Sequence, residues 1–171
     1  MKRLIWMVVI IIAIIVIDQV TKNAVSSSFR IGESVKVIDG FFNLTYARNS
    51  GAAFGFGYHF DDWIRYSLFL ALPVIACLWL TYLLVKTIAG PLIMSLAYSL
   101  ILGGAVGNLI DRFRLDYVVD FFDFYIGKSH FATFNVADAS ISVAAGLLII
   151  DYFLQDKKKK NNEIEAVTEN Q

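Results

Sequence analysis

Long apolar runs alternate with short polar segments along the chain, and the runs set the topology. Leu4 to Ile17 is free of charge but holds 14 residues, too few to cross a hydrocarbon core of about 30 Å. Continuing the helix from Val20 to Val25 supplies the length and places Asp18 and Lys22 near its end. Tyr66 to Val85 is a second run, of 20 residues. Thr87 to Ile110 is a third, interrupted by Gly90 and Pro91. Proline suits the first turn of a helix, so Lys86–Gly90 is predicted to connect and Pro91–Ile110 to span. Ala139 to Ile150 is a fourth, long enough if its helix starts near Asn135 and ends near Leu154.

The segments between the runs carry a different period. Val35 and Val37, then Phe42, Leu44 and Tyr46, alternate as short strands do. Tyr117 to Phe124 is rich in β-branched and aromatic residues and also predicts a strand. The expected fold is an α-helical integral membrane protein, with four transmembrane helices and a small sheet outside the bilayer. Residues 1–155 form one membrane-embedded domain. Residues 156–171, with Lys157–Lys160 and a polar acidic end, predict a disordered cytoplasmic tail.

Composition narrows the class. Hydrophobic residues make up 57% of the 171 and charged residues 18%, against roughly 45–50% and about 25% in soluble domains. Fifteen basic residues balance fifteen acidic ones, which argues against a nucleic-acid partner. Met1-Lys-Arg before an apolar run also fits a signal peptide, but the run leads into Asp18–Lys22 rather than a small-residue cleavage site. With both termini in the cytoplasm, Lys2, Arg3, Lys86 and Lys157–Lys160 abut helix ends on the inner side, as the positive-inside rule asks. Cys77 has no partner for a disulfide or a zinc site.

Ionisable groups at membrane depth are expensive, so each is a candidate for function. Gly103 and Gly107 are a small-xxx-small pair suited to helix packing. Gly104, Asn108 and Arg112 share one face of the third span, and Asp111 lies one step round. Asn135 suits an N-cap of the fourth helix, with Asp138 at N3. Asp120, in a predicted strand, faces away from Val119 and Phe121; Asp123 is expected to be a solvated or edge carboxylate. If Asp120 and Asp138 meet, they share one proton, which is the machinery of an aspartic protease and needs neither metal nor covalent nucleophile. On the residues alone, other classes stay open. Asp111, Asp116, Asp120 and Asp123 could hold a divalent cation. Asp18, Asp111 and Asp138 could relay ions through a carrier, and Gly103 with Gly107 could build a scaffold. His59 and His130 lack the spacing of a zinc protease.

Five segments together resemble one family. Asp18-Gln-Val-Thr-Lys22, Asn49-Ser-Gly-Ala-Ala-Phe-Gly55, Gly104-Ala-Val-Gly-Asn-Leu-Ile-Asp-Arg112, Val118-Val-Asp-Phe121 and Phe134-Asn-Val-Ala-Asp138 resemble, in order, the motifs of the bacterial lipoprotein signal peptidases (type II signal peptidases). The resemblance implies four spans with an extracytoplasmic β-cradle and a short periplasmic helix. It implies an aspartic endopeptidase of the bacterial cytoplasmic membrane. That enzyme removes the signal peptide of diacylglyceryl-modified prolipoproteins just before the lipidated cysteine. Asp120 and Asp138 match the catalytic dyad. Asn49, Gly51, Asn108, Arg112, Asn135 and Ala137 match positions that line or support the substrate site, and Asp18, Lys22 and Asp111 match supporting positions. No cofactor or metal is implied; the expected partners are lipidated precursors and membrane lipids, with the chain acting as a monomer.

Overall fold

The computed structural model describes residues 2–51 and 60–168. Among them, four helices are long and apolar enough to cross a membrane: Lys2–Ser28, Ser67–Lys86, Leu92–Leu115 and Val136–Asn162. These are the four predicted spans. The first is α1 (Lys2–Ser28). The second opens as a short helix, α2 (Asp62–Tyr66), passes through a π-helical turn at Ser67–Ala71 and continues as α3 (Leu72–Lys86). Pro73 explains the turn: it has no N–H to donate back, and a widened turn absorbs the missing bond. Among the described residues, α2 is a short helix that leads directly into the second span. Residues 52–59, which carry Ala52 to Gly55 of the second motif and His59, lie outside the described residues.

The third span, α4 (Leu92–Leu115), starts one residue later than predicted, because Pro91 is extended (ψ 138) and acts as the N-cap. It also runs past Ile110 through Asp111 and Arg112, whose partners lie inside the protein. Asp116, at φ 62, ends it in the left-handed region. The fourth span belongs to α5 (Val136–Thr168), which continues through Lys157–Lys160 where a disordered tail was expected. Lysine and glutamate are good helix formers, and Lys160 pairs with Asp156 one turn back at 2.8 Å.

The strands β1 (Ser34–Ile38), β2 (Phe42–Asn49), β3 (Val118–Ile126) and β4 (Ser129–His130) form antiparallel pairs in the order β1-β2-β3-β4. A bulge interrupts the β2–β3 ladder: Leu44 faces Phe122 and Ala47 faces Asp120, so Thr45 and Tyr46 together oppose Phe121. Bulges re-aim side chains, and this one sets Asn49 beside Asp120. Val25, Tyr46, Val119 and Phe121 form a buried cluster under the sheet, while Met7, Cys77, Leu84, Leu102 and Leu109 form one between helices.

Close approach holds the bundle together. A Cβ at Gly103 would stand 3.0 Å from Ile14 Cβ, and one at Gly107 would stand 2.7 Å from Asp18 Oδ2, so both glycines admit α1. A Cβ at Gly104 would lie 2.5 Å from the Ala137 carbonyl, so Gly104 admits α5. With little gained by burying oil in oil, contact at this range is what associates helices in a bilayer.

Candidate functional site

The first turn of α5 is tied shut at both ends. Asn135 is its N-cap: its Oδ1 accepts the Asp138 N–H at 2.9 Å, and Asp138 Oδ2 accepts the Asn135 N–H at 3.4 Å. This reciprocal pair is a capping box, and it puts Asp138 at N3 as the sequence predicts. The cap has a second use. With its oxygen committed to the helix, Asn135 turns Nδ2 towards Asp120 Oδ1 at 2.7 Å and Asn108 Oδ1 at 3.2 Å.

Asp120 enters from β3 and is 2% exposed. Its other oxygen, Oδ2, accepts from Asn49 Nδ2 at 3.0 Å. Asn49 is held in turn, because its Oδ1 accepts the Gly51 N–H at 3.1 Å. Asn108, from α4, donates Nδ2 to Asp138 Oδ1 at 2.7 Å. Two asparagines, 108 and 135, therefore join the two carboxylates into one network. Burial pushes the Asp120 carboxyl up from 3.8 to about 7, and the charge of nearby Asp138 pushes the same way, against the donors Asn49 and Asn135. A carboxylic acid that keeps its proton near neutrality, beside a second carboxyl group, can donate a hydrogen bond while its neighbour accepts a proton.

A cavity of about 640 Å³ opens here, with Asn49, Asn108, Arg112 and Asp138 among its polar lining and Phe131, Phe134 and Val143 among its apolar lining. Arg112 leans across it and donates to the Gly51 carbonyl at 3.4 Å. Asn108 and Arg112 thus share the cavity face, as their spacing predicts. Asn135 and Ala137 are fully buried behind it. Ala137 donates its N–H to Asp18 Oδ1 at 3.0 Å and so ties α5 to α1.

The supporting residues form a second layer. Lys22 Nζ lies 2.9 Å from Asp18 Oδ2, 3.1 Å from Asp111 Oδ2 and 2.8 Å from Asn108 Oδ1. Asp111 Oδ2 also accepts the Val119 N–H of β3 at 3.0 Å. Sequence reasoning missed Gln19, whose Nε2 donates to Asp111 Oδ1 at 2.9 Å and to the Gly107 carbonyl at 3.1 Å. A long polar side chain at membrane depth was the available signal. Asp123 is not the solvated edge carboxylate expected. It is 6% exposed and is met by Asn43, Thr45 and His130, the last at 2.7 Å. Among the described residues, no three carboxylate, histidine or cysteine side chains gather as a metal site would need.

Fold and site define a polytopic membrane protein with one carboxylate, Asp138, lining an open and mostly apolar cavity and a second, Asp120, buried and joined to it through two asparagines. Residues 10–154 match the family model described as signal peptidase II, and the chain belongs to that family. It is 47% identical over 148 residues to the lipoprotein signal peptidase of Actinobacillus succinogenes, covering 86% of this chain and 90% of that protein. It is 45% identical to that of Shewanella sediminis, covering 91% of this chain and 86% of that one. A solved structure described as a bacterial membrane enzyme, determined by the in meso method at 2.3 Å, superposes with a TM-score of 0.76. The two chains share 34% identity, and each is covered over 90% of its length.

Proposed function

We propose that this signal peptidase is an aspartic endopeptidase that cleaves lipid-modified prolipoproteins just before the lipidated cysteine, with Asp120 and Asp138 as its catalytic pair. The observation that carries the reading is the linked pair itself, with Asp120 held near a pKa of 7 beside Asp138 at the cavity rim. Asp138, unprotonated, takes a proton from a water molecule. The water oxygen bonds to the scissile carbonyl carbon as the C=O π bond opens, and the protonated Asp120 passes its proton to the carbonyl oxygen, giving a neutral gem-diol. The gem-diol then collapses: Asp120 takes a proton back from one hydroxyl, the C=O bond re-forms, the C–N bond breaks, the leaving nitrogen takes the proton from Asp138, and the new acid product leaves. A carboxyl pair of unlike protonation does both jobs at once.

The other wall residues suit the substrate. A signal peptide arrives as a helix, and its scissile stretch must unwind within protein walls because lipid cannot satisfy bare backbone groups. Asn49, Asn108 and Arg112 offer amide and guanidinium groups to that backbone. Phe131, Phe134 and Val143 offer an apolar wall to acyl chains. Lys2, Arg3, Lys86 and Lys157–Lys160 gather at the end away from the sheet. That supports cytoplasmic termini and a site near the outer surface of the bacterial cytoplasmic membrane.

The test uses a lipidated precursor in detergent micelles with purified Asp120→Asn and Asp138→Asn. Each substitution is expected to lower the cleavage rate by roughly 10²–10⁴-fold, the usual contribution of a positioned acid or base, with melting behaviour retained. Wild-type turnover in either variant overturns the pair.

A further inference from the structure

Lys22 is an ammonium with 3% of its side chain exposed, on a helix that contributes nothing to the cavity wall described above. An ammonium has three N–H donors and no acceptor. All three are committed, to Asp18, Asp111 and the side-chain oxygen of Asn108. The last contact fixes an orientation. An asparagine amide can turn over and exchange its oxygen for its NH2, but an NH2 facing Lys22 would set donor against donor. The oxygen of Asn108 is pinned to Lys22, so its NH2 is directed to Asp138 Oδ1. Asn135 reinforces the choice by donating to that same oxygen.

We propose that Lys22 is a positioning residue for cleavage: by holding the Asn108 oxygen, it obliges Asn108 to donate to Asp138 and so fixes the direction in which the Asp138 carboxylate faces the cavity. Asn108 carries the effect of Lys22 to Asp138 by a continuous path of two hydrogen bonds, 2.8 Å and 2.7 Å long. A merely structural lysine would need its two aspartates and nothing further.

The inference rests on the aspartic pair, and the two fail separately. Wild-type turnover in Asp138→Asn sinks the pair, whereas the variants below sink the role of Lys22 alone. The full chain is assayed with a lipidated precursor, reading kcat and KM separately. Lys22→Gln is expected to lower kcat on the order of 10–100-fold, because Asn108 is free to turn. KM should stay within about twofold. Lys22→Arg keeps a donor-only cation and should recover most of the wild-type kcat. The charge-balanced double variant Asp18→Asn/Lys22→Gln gives the same readout if Lys22→Gln does not fold. Asn108→Asp keeps Lys22 and its ion pairs but offers Asp138 no donor, so it reports even if every Lys22 variant unfolds. It too should lower kcat with KM little changed. Wild-type kcat in a folded Lys22→Gln, a rise in KM in place of the fall in kcat, or no recovery in a folded Lys22→Arg overturns the proposal.

Discussion

α3 and α4 are neighbours in one bilayer, and they follow opposite rules. α3 buries Cys77 and Leu84 and turns Ile75, Leu78 and Trp79 outwards, at 61%, 68% and 61% exposure. α4 buries Ser95, Ala97, Ser99, Gly103, Gly104, Gly107, Asn108 and Asp111. In water the greasier helix would be the inner one. In lipid an outward leucine loses little, because acyl chains are as apolar as protein. Beside the Leu102 and Leu109 side chains, most of what α4 buries is small residues, which allow close approach, and polar ones, which bond. α3 supplies length and a wall, while the seam of α1, α4 and α5 supplies the specific contacts and the chemistry.

The largest test of that contrast removes a polar partner from the seam. Asp111 is 3% exposed and serves Lys22, Gln19 and the Val119 N–H together. Asp111→Ala leaves a buried ammonium and a strand N–H short of a partner, and breaking a buried pair costs about 3–5 kcal/mol. Unfolding in a denaturing detergent titration should show that loss. A loss under about 1 kcal/mol would mean that the seam is no more polar in effect than α3.

A second test uses the site at the top of the seam. The Asp120 pKa is raised from 3.8 to about 7. Between those values the folded chain holds a proton that the unfolded chain has released, so wild-type stability falls as pH rises through this window and levels above it. Burial, with help from Asp138, is the cause. Asp120→Asn cannot ionise. Its stability relative to wild type should therefore climb from about pH 4 to about pH 7, by on the order of a few kcal/mol across the window. Melting temperatures of both proteins across that range check it; a difference that does not change with pH refutes the raised pKa.

Much of this was legible in the sequence, and the parts that were not have physical reasons. The four spans could be read because hydrocarbon thickness forces a run length. Asp138 at N3 could be read because Asn135 is a capping residue at a fixed spacing. The burial of Asp123 could not be read: its partners Asn43, Thr45 and His130 come from β2 and β4, and their meeting depends on strand register rather than local pattern. The role of Gln19 could not be read because its partners, the Gly107 carbonyl and Asp111, lie on α4 and are met only when α1 and α4 pack. The orientation of Asn108 was also beyond reach. An amide carries no sign of which way it faces until Lys22, 86 positions away along the chain, is seen to touch it.

The smallest test compares one methyl group with the loss of three carbons. At Gly104 an added Cβ would stand 2.5 Å from both the Ala137 carbonyl oxygen and Ser140 Oγ. The serine can rotate, but the carbonyl belongs to the first turn of α5 and cannot move alone. Gly104→Ala must push α4 and α5 apart, at about 1–3 kcal/mol for an overpacked contact. The displacement falls next to Asp138, so kcat should drop along with stability. Leu78→Ala removes more atoms from α3, yet its side chain is 68% exposed to the surrounding lipid. It should change stability by no more than about 0.5 kcal/mol, as exposed substitutions do. Both are measured by denaturing detergent titration and by precursor cleavage. If Leu78→Ala costs more than Gly104→Ala, α3 holds the bundle together and the contrast between the two helices is reversed.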